Sequence, residues 1–256
     1  MNRETSRRRG PMGRLLDRVF LSATVVETEP IAARMRRIRM HDDALRGLSC
    51  RPGQQVRVHV NDVLSMAGWR QGAGNLLRTY SVWGNDPRAG TLDLCVLDHD
   101  GDTGPGAAWG RAARPGDRVR FGRPEGGFVL RPDAPYHVFV GEETASVALG
   151  AMIAAVGPAV NVYGVIETAT AADRLPIPHA ERLTWLERGD ASAASSATLA
   201  DAVGRLALPA TPGVAYVAGE AKTVKLVRDR LVADHGWDRR SVITKPFWSP
   251  GRTGMD

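Results

Sequence analysis

Lysine, cysteine and long apolar runs are all scarce in this chain of 256 residues. Its two cysteines, Cys50 and Cys95, stand apart without a CxxC pair, so neither a disulfide framework nor a zinc site is expected. No apolar run approaches the roughly 20 residues of a membrane-spanning helix. The basic start, MNRETSRRRGPMGR, lacks the apolar core of a secretory signal. We therefore expect no membrane insertion, and a cytoplasmic location by default.

Positive charge is carried almost entirely by arginine, because lysine occurs only at Lys222, Lys225 and Lys245. The formal net charge is +6, which suits anionic small molecules such as nucleotides and metal chelates. No recognition helix, zinc finger or RNA-binding aromatic pattern accompanies this charge, so no nucleic-acid partner is expected. The sequence also lacks a GxGxxG fingerprint.

The stretch Arg78-Thr79-Tyr80-Ser81 has residue types that suit a flavin. In a strand, Arg78 and Tyr80 share a face, where a guanidinium can bind phosphate and an aromatic ring can lie against a flat ligand. Ser81 begins the opposite face, near a ring heteroatom where the strand ends. Such a short pattern also occurs in strands that bind no ligand, where the arginine lies at the surface and the tyrosine in the core.

A glycine-rich turn, Gly104-Pro105-Gly106, precedes AAWGRAA, which is predicted to be a short helix. The free backbone N–H groups at a helix start form an anion site, where the pyrophosphate of a dinucleotide can rest. A plain turn before a helix is an equally good interpretation of this segment. His99, just before the turn, is more often a turn or core residue than a ligand.

The order of predicted elements indicates two domains. Short, β-prone runs punctuated by turn residues fill residues 15–131 and predict a small antiparallel barrel, behind a disordered basic arm at 1–14. A proline-containing linker follows, and strands then alternate with helices over 137–256, which predicts a parallel α/β sheet. Ligands bind such sheets at the carboxyl ends of the strands. Gly141 to Thr144, Glu167, and Gly219-Glu220 lie at these ends, and Thr144 is a candidate N-cap of its helix.

The chain resembles the siderophore-interacting proteins, the FAD-dependent ferric-siderophore reductases related to the ferredoxin-reductase superfamily. The resemblance covers nearly the whole chain in the family's order. Its carrying motifs are RTYS (78–81), VLDH (96–99), GPGAAW (104–109), PGDRV (115–119), GEETA (141–145), LTWLERG (183–189), AGEA (218–221) and KPFWSPG (245–251). Departures from the family pattern include Trp83, where an arginine is usual, and Ser146-Val147, where the family runs on with Leu-Pro.

This resemblance implies a Greek-key barrel that binds FAD, followed by an α/β domain that binds NAD(P)H. It assigns Arg78 to the pyrophosphate, Tyr80 to the isoalloxazine and Ser81 to the reactive edge of the ring, and either Asp98 or His99 to another flavin contact. The implied cofactor residues are Arg78, Thr79, Tyr80, Ser81, Asp98, His99, Thr103, Gly104, Pro105, Gly106, Ala107 and Trp109 for FAD, and Gly141, Glu143, Thr144, Gly219 and Glu220 for the nicotinamide. Lys245, Phe247, Trp248 and Arg252 are the predicted substrate residues.

The implied activity is reduction of a ferric siderophore by NAD(P)H through FAD, with release of Fe(II). No protein acid, base, nucleophile or resident metal is needed, because the flavin carries the redox chemistry. Two alternatives stay open: a biosynthetic flavoprotein that acts on a natural-product intermediate or supplies reduced flavin, and a flavoprotein that only binds an iron chelate. The sequence does not choose between NADH and NADPH, since Glu167 favours the first and nearby Arg174 the second. It predicts no oligomeric state.

Overall fold

A computed structural model describes residues 20–60, 77–99 and 104–252. Its first half is a closed barrel in which six antiparallel strands follow the order β1-β2-β5-β4-β3-β6. Strands β3, β4 and β5 are consecutive neighbours in the barrel, and β2 lies on the other side of β5. This arrangement of four strands is a Greek key. The strands are β1 (Phe20–Ala32), β2 (Met35–His41), β3 (Gln55–His59), β4 (Leu77–Asp86), β5 (Thr91–Leu97) and β6 (Arg118–Gly122), and helix α1 (Pro105–Ala112) lies between β5 and β6.

The second half is a sheet of five parallel strands in the order β11-β10-β7-β8-β9. Chain order reverses between β7 and β10, and a crevice at such a reversal is where open α/β sheets bind ligands. The elements are β7 (Tyr136–Glu142), α2 (Glu143–Ala154), β8 (Asn161–Thr168), β9 (Thr184–Glu187), α3 (Ala197–Gly204), β10 (Val214–Glu220), α4 (Ala221–His235) and β11 (Val242–Trp248). The predicted barrel-plus-sheet architecture is confirmed.

How deeply a strand is buried depends on how many of its faces are covered by other elements. β7, at the centre of the sheet and covered on both faces, is buried along its whole length, whereas β2 alternates between buried Met35, Ile38 and Met40 and half-buried arginines. This is the difference expected between a doubly covered parallel strand and a barrel strand with one face toward solvent.

Apolar side chains of the barrel and of helix α2 pack together and join the two domains. Met35 and Cys95 of the barrel belong to the same buried cluster as Val147 and Leu149 of α2, and Trp83 packs against that cluster. A Cβ added to Gly150 would lie 2.6 Å from the Trp83 ring, so the absence of a side chain there lets the indole lie flush on the helix. The departure at Trp83 is thus part of the domain interface.

None of the described helices is long and apolar enough to cross a membrane. Cys50 and Cys95 are both free thiols, and the described residues contain no group of three or more His, Cys, Asp and Glu side chains that could hold a metal. The predicted arm at 1–14 and Thr103 lie outside the described residues. The predicted domain bounds, 15–131 and 137–256, stay predictions.

Candidate functional site: a cleft between barrel and sheet

A cleft of about 760 Å³ separates the barrel from the carboxyl edge of the sheet. Both domains contribute to it. The barrel side includes Arg34, Gln55, Arg78, Thr79, Tyr80, Ser81, Cys95, His99, Gly104, Pro105, Gly106 and Ala107, and the sheet side includes Glu142, Glu143, Thr144, Val147, Arg188, Ser192, Phe247, Trp248 and Arg252. The structure therefore brings most of the predicted cofactor residues and three of the four predicted substrate residues into one space.

On the barrel wall, β4 places Arg78 and Tyr80 beside the glycine turn. A Cβ on Gly106 would lie 2.9 Å from Tyr80 Oη and 3.4 Å from Arg78 Cγ, so both side chains lie under the turn, as their shared strand face predicts. The Tyr80 ring also packs on Trp109 of α1, with 5.3 Å between ring centroids. Trp109 thus supports Tyr80 from behind and does not line the cleft.

This wall has two features that fit FAD. The buried Tyr80 hydroxyl has no hydrogen-bond partner among the described residues, and burial raises the pKa of this phenol, so it stays a neutral donor. Such an orphan donor is expected where a ligand supplies the acceptor. The turn at Gly104 to Ala107 begins an eight-residue helix, whose first N–H groups lack intrahelical partners and favour a phosphate.

The two candidates for the further flavin contact occupy different places. His99 lines the cleft. Asp98 does not, because its carboxylate forms an ion pair with Arg111 on α1. The structure therefore favours His99 as the cleft residue of this pair.

On the sheet wall, Glu143 is almost fully buried and held by several donors. Arg188 binds both carboxylate oxygens at 2.7 Å, Arg34 donates to Oε1 at 2.8 Å, and the Ala169 N–H donates to Oε1 at 2.8 Å. Burial alone would favour the neutral acid, but the hydrogen bonds and charge of Arg188 outweigh it and lower the pKa of Glu143. Glu143 therefore stays ionised and serves to hold two arginines.

Arg34 also links the domains. It lies in the turn between β1 and β2, and its Nε donates to Asp173 of the α/β domain at 2.9 Å. The backbone N–H of Ala33 donates to Ala172 O at 2.8 Å beside it. This end of the cleft is thus fixed by both charge and backbone contacts.

Glu142, the residue before Glu143, has a different environment. Its Oε2 accepts from the Thr144 N–H at 2.8 Å, and its Oε1 accepts from the Thr144 hydroxyl and from Trp248 Nε1, the latter at 2.9 Å. Burial raises the pKa of this carboxyl. Glu142, not Thr144, is the N-cap of α2, so the prediction for Thr144 was wrong: its hydroxyl points to Glu142 instead of to its own helix.

The remaining predicted nicotinamide residues lie beneath the cleft surface. Gly141 is buried, and Gly219 adopts a φ of +122° where a Cβ would lie 2.7 Å from Glu142 Oε1. Glu220 caps α4 through the Lys222 and Thr223 N–H groups and also accepts from the Ser195 N–H. These residues shape and support the crevice, and none of the three lines it.

The two residues considered for NADH or NADPH preference also lie away from the cleft lining. Glu167 accepts from the Ser196 hydroxyl at 2.7 Å. Arg174 pairs with Glu187 and lies 5.4 Å from the centroid of the Trp185 ring. Nucleotide preference therefore stays open.

The predicted substrate residues lie within β11, which ends at Trp248, or just after it. Phe247, Trp248 and Arg252 line the cleft, and Arg252 is exposed. Lys245 lies within β11 and not at its end, and its ammonium donates to Gln55 of the barrel. Burial lowers the pKa of Lys245. Lys245 thus connects the α/β domain to the barrel. Gln55, its partner, lines the cleft, and Lys245 does not.

Comparison with protein families matches each domain separately. Residues 24–128 match the siderophore-interacting FAD-binding domain, and residues 134–251 match the siderophore-interacting protein domain. The chain belongs to the siderophore-interacting protein family. The resemblance drawn from the sequence is confirmed, and the barrel is the family's FAD-binding domain.

Among individual proteins, the chain is 28% identical over 237 residues to the mycobactin import ATP-binding/permease protein IrtA of Mycolicibacterium smegmatis, covering 90% of this chain but only 26% of that protein. It is 26% identical over 245 residues to the NADPH-dependent ferric-chelate reductase of Escherichia coli, covering 90% and 92% of the two chains. The crystal structure of a siderophore utilization protein from T. fusca superimposes with a TM-score of 0.76 at 27% identity, covering 93% and 95%.

Several cleft residues were not among the predicted site residues, including Arg34, Gln55 and Arg188, and Glu142 was covered only as part of the stretch Gly141 to Thr144. Arg188 lies inside LTWLERG and Glu142 inside GEETA, so the resemblance marked both segments without giving either side chain a role of its own. Arg34 lies 109 residues from Glu143, and no local pattern connects them.

Proposed function

We propose that the protein is a flavin-dependent oxidoreductase that passes electrons from NAD(P)H through FAD to a ferric siderophore and releases Fe(II). One observation carries the proposal. The barrel wall, with Arg78 and Tyr80, faces the edge of the sheet where the strand order reverses between β7 and β10, and both line the same cleft. A flavin held by the barrel and a nicotinamide held at the sheet edge need such an arrangement if the two rings are to lie face to face. The cytoplasmic location and the absence of a nucleic-acid partner stay predictions.

Each wall has a distinct task in this proposal. Arg78 and the turn at Gly104 to Ala107 bind the phosphates, the Tyr80 hydroxyl donates to the cofactor, and Ser81 contacts the edge of the ring. When bound, FAD would supply the chemistry that accepts a hydride and passes on single electrons. Thr144, at the start of α2, faces the nicotinamide, and Glu143 keeps Arg34 and Arg188 in place along that wall.

The mouth of the cleft provides the place for the ferric chelate. Phe247 and Trp248 offer flat apolar surface, and the exposed Arg252 offers positive charge, which suits bulky and often anionic catecholate or hydroxamate complexes. Fe(II) fits hard oxygen ligands less well than Fe(III), so reduction favours release of the metal.

The test begins with the visible spectrum of the purified protein, titrated anaerobically with NADPH and NADH. We expect bound FAD that either nicotinamide reduces and that a ferric chelate then reoxidises, with Fe(II) captured by a ferrous-specific dye. A protein that stays colourless in excess FAD contradicts the proposal. A flavin that ignores both nicotinamides supports the biosynthetic alternative, and chelate binding without electron transfer supports a binding protein.

Electron entry has its own test at Thr144. Replacing Thr144 by Phe should slow reduction of the flavin by NAD(P)H and leave reduction by dithionite unchanged, because dithionite needs no nicotinamide pocket. Equal slowing with both reductants would show that Thr144 does not face the nicotinamide.

A further inference from the structure

Glu142 is a buried carboxyl that the proposed electron path does not use. It is 2% exposed and lines the cleft, and among the described residues its carboxyl group accepts hydrogen bonds from Thr144 and Trp248. Among the described residues, no arginine or lysine forms an ion pair with it, although two arginines hold its neighbour Glu143. Buried carboxyls without a cationic partner exchange protons more readily near neutral pH than paired ones.

The charged groups around Glu142 do not neutralise it. Its own helix contributes Glu143, which is already paired with Arg34 and Arg188, and β8 contributes Glu167 directly across the ladder. The end of β10 contributes Glu220, which caps α4. β11 contributes Lys245, bound to Gln55, and Arg252 follows that strand. Burial and the charge of Glu143 both raise the pKa of Glu142.

The proposed reaction leaves a proton in the cleft. Oxidation of one NAD(P)H by two ferric chelates gives NAD(P)⁺, two ferrous ions and one H⁺, because the hydride consists of two electrons and a proton and only the electrons pass to iron. The reaction does not require a protein base, because water can take this proton, but a base close to the reactants would speed its removal.

We propose that Glu142 accepts this proton through the Thr144 hydroxyl. The inference rests on the function proposed above. The Thr144 hydroxyl donates to Glu142 Oε1 and, on the cleft side, can accept the incoming proton, so that its own hydrogen moves to the carboxylate. An O–H bond forms on Glu142 and breaks when the proton returns through Thr144 to water, which restores the carboxylate.

Glu143 is a poor candidate for the same task. Its two oxygens accept from Arg188, Arg34 and the Ala169 N–H, and its lowered pKa favours the ionised form. Protonation of Glu143 would leave the partly buried Arg188 without its counter-ion and Arg34 with Asp173 alone. The pair of adjacent glutamates thus divides into one that binds arginines and one that exchanges a proton.

The test follows proton release directly. Protein loaded with FAD and reduced by dithionite is mixed with ferric EDTA in weak buffer that contains a pH-indicator dye, and flavin absorbance is recorded in parallel. In the wild type and in Thr144→Ser, the proton should appear together with flavin reoxidation. In Glu142→Gln and Thr144→Val, it should lag by roughly tenfold or more. Proton release without a lag in Glu142→Gln overturns the proposal.

Trp248→Phe is the matched control. It removes the indole donor to Glu142 but keeps the carboxyl, so its proton trace should stay coupled to flavin reoxidation whatever the rate of that step. If Trp248→Phe reproduces the lag, Glu142 acts by positioning Trp248 and the proposal is wrong.

A second measurement separates this inference from the function on which it rests. Infrared titration of the flavin-free protein should show a buried carboxylic-acid band that is absent in Glu142→Gln and present in Trp248→Phe. Absence of such a band in the wild type overturns the proposal even if ferric EDTA is reduced. Presence of the band in a protein whose flavin is not reoxidised by any ferric chelate supports Glu142 as a proton-exchanging group and contradicts the proposed function alone.

Discussion

The Tyr80 hydroxyl on the barrel wall and the Glu143 carboxylate on the sheet wall are both shielded from solvent, yet their surroundings are opposite. Tyr80 Oη has no hydrogen-bond partner among the described residues, whereas Glu143 accepts from two arginines and a backbone N–H. The barrel wall keeps a hydrogen-bond donor that is available to a ligand, whereas the polar groups of Glu143 on the sheet wall are already used in hydrogen bonds within the protein. Changes in the sheet wall should therefore affect folding, and changes in the barrel wall should affect FAD binding.

The largest effect is expected at Glu143. Glu143→Ala leaves the partly buried Arg188 without its ion-pair partner and Arg34 with Asp173 alone, which should lower the free energy of unfolding by about 3–5 kcal/mol. Urea unfolding measures it. Glu187→Ala is the control, because its exposed pair with Arg174 is worth at most about 1 kcal/mol. Equal losses in the two variants would contradict the assignment of Glu143 as the structural carboxylate.

The next effect concerns the barrel wall. If Arg78 binds a phosphate of FAD as proposed, Arg78→Ala should weaken FAD binding about ten- to a hundredfold, or roughly 1.5–3 kcal/mol, because a charge-assisted contact is lost. Fluorescence titration of the flavin-free protein measures the dissociation constant. The unfolding midpoint of the flavin-free protein should change little, and a large change would show that Arg78 is mainly structural.

A smaller loss of affinity is expected at the glycine turn. Gly106→Ala adds a Cβ 2.9 Å from Tyr80 Oη and should weaken FAD binding about tenfold, equivalent to about 1.4 kcal/mol. Gly157→Ala is the matched control, since a Cβ there has no neighbour within 4 Å. Unchanged FAD affinity in Gly106→Ala would mean that the cofactor does not approach this turn.

The two glutamates should also respond oppositely to pH. The pKa of Glu142 is raised from 4.5, so the folded state holds this proton to higher pH than the unfolded state, and stability falls as pH rises from about 4.5 toward the folded pKa. The lowered pKa of Glu143 gives stability that is present above 4.5 and lost as pH falls through its folded value. In Glu142→Gln the fall in unfolding free energy above pH 4.5 should therefore be weaker; an identical slope would contradict the raised pKa.

The smallest effect is expected at the mouth of the cleft. Arg252→Ala should raise the KM for an anionic ferric chelate a few-fold, or about 0.5–1 kcal/mol, and more strongly at low salt because Arg252 is exposed. Turnover with a small neutral acceptor should stay the same. Lys245→Ala provides the comparison, since Lys245 contacts Gln55 and should affect the KM less. A larger effect at Lys245 would reverse these roles.

The sequence predicts this fold and one wall of the cleft well because their signals are local. Arg78 and Tyr80 share a strand face and Gly104 to Gly106 precede a helix, so neighbouring residues suit a flavin and a phosphate, and the family resemblance adds the assignment to FAD. The other wall depends on contacts between distant segments, such as Arg34 with Glu143, 109 residues apart. Whether Glu142 or Thr144 caps α2 depends on side-chain rotamers, which the order of residues in GEETA does not reveal.

The contact between Trp83 and Gly150 limits how the two halves of the chain can be exchanged. A barrel with a tryptophan at this place requires a helix without a side chain opposite it, because a Cβ there would meet the indole at 2.6 Å. A chimera that joins this barrel to the α/β half of a relative would inherit only one member of the pair. A domain swap at the linker should therefore succeed only when the residues at positions 83 and 150 come from the same parent protein. These two residues have to be inherited together although they lie in different domains.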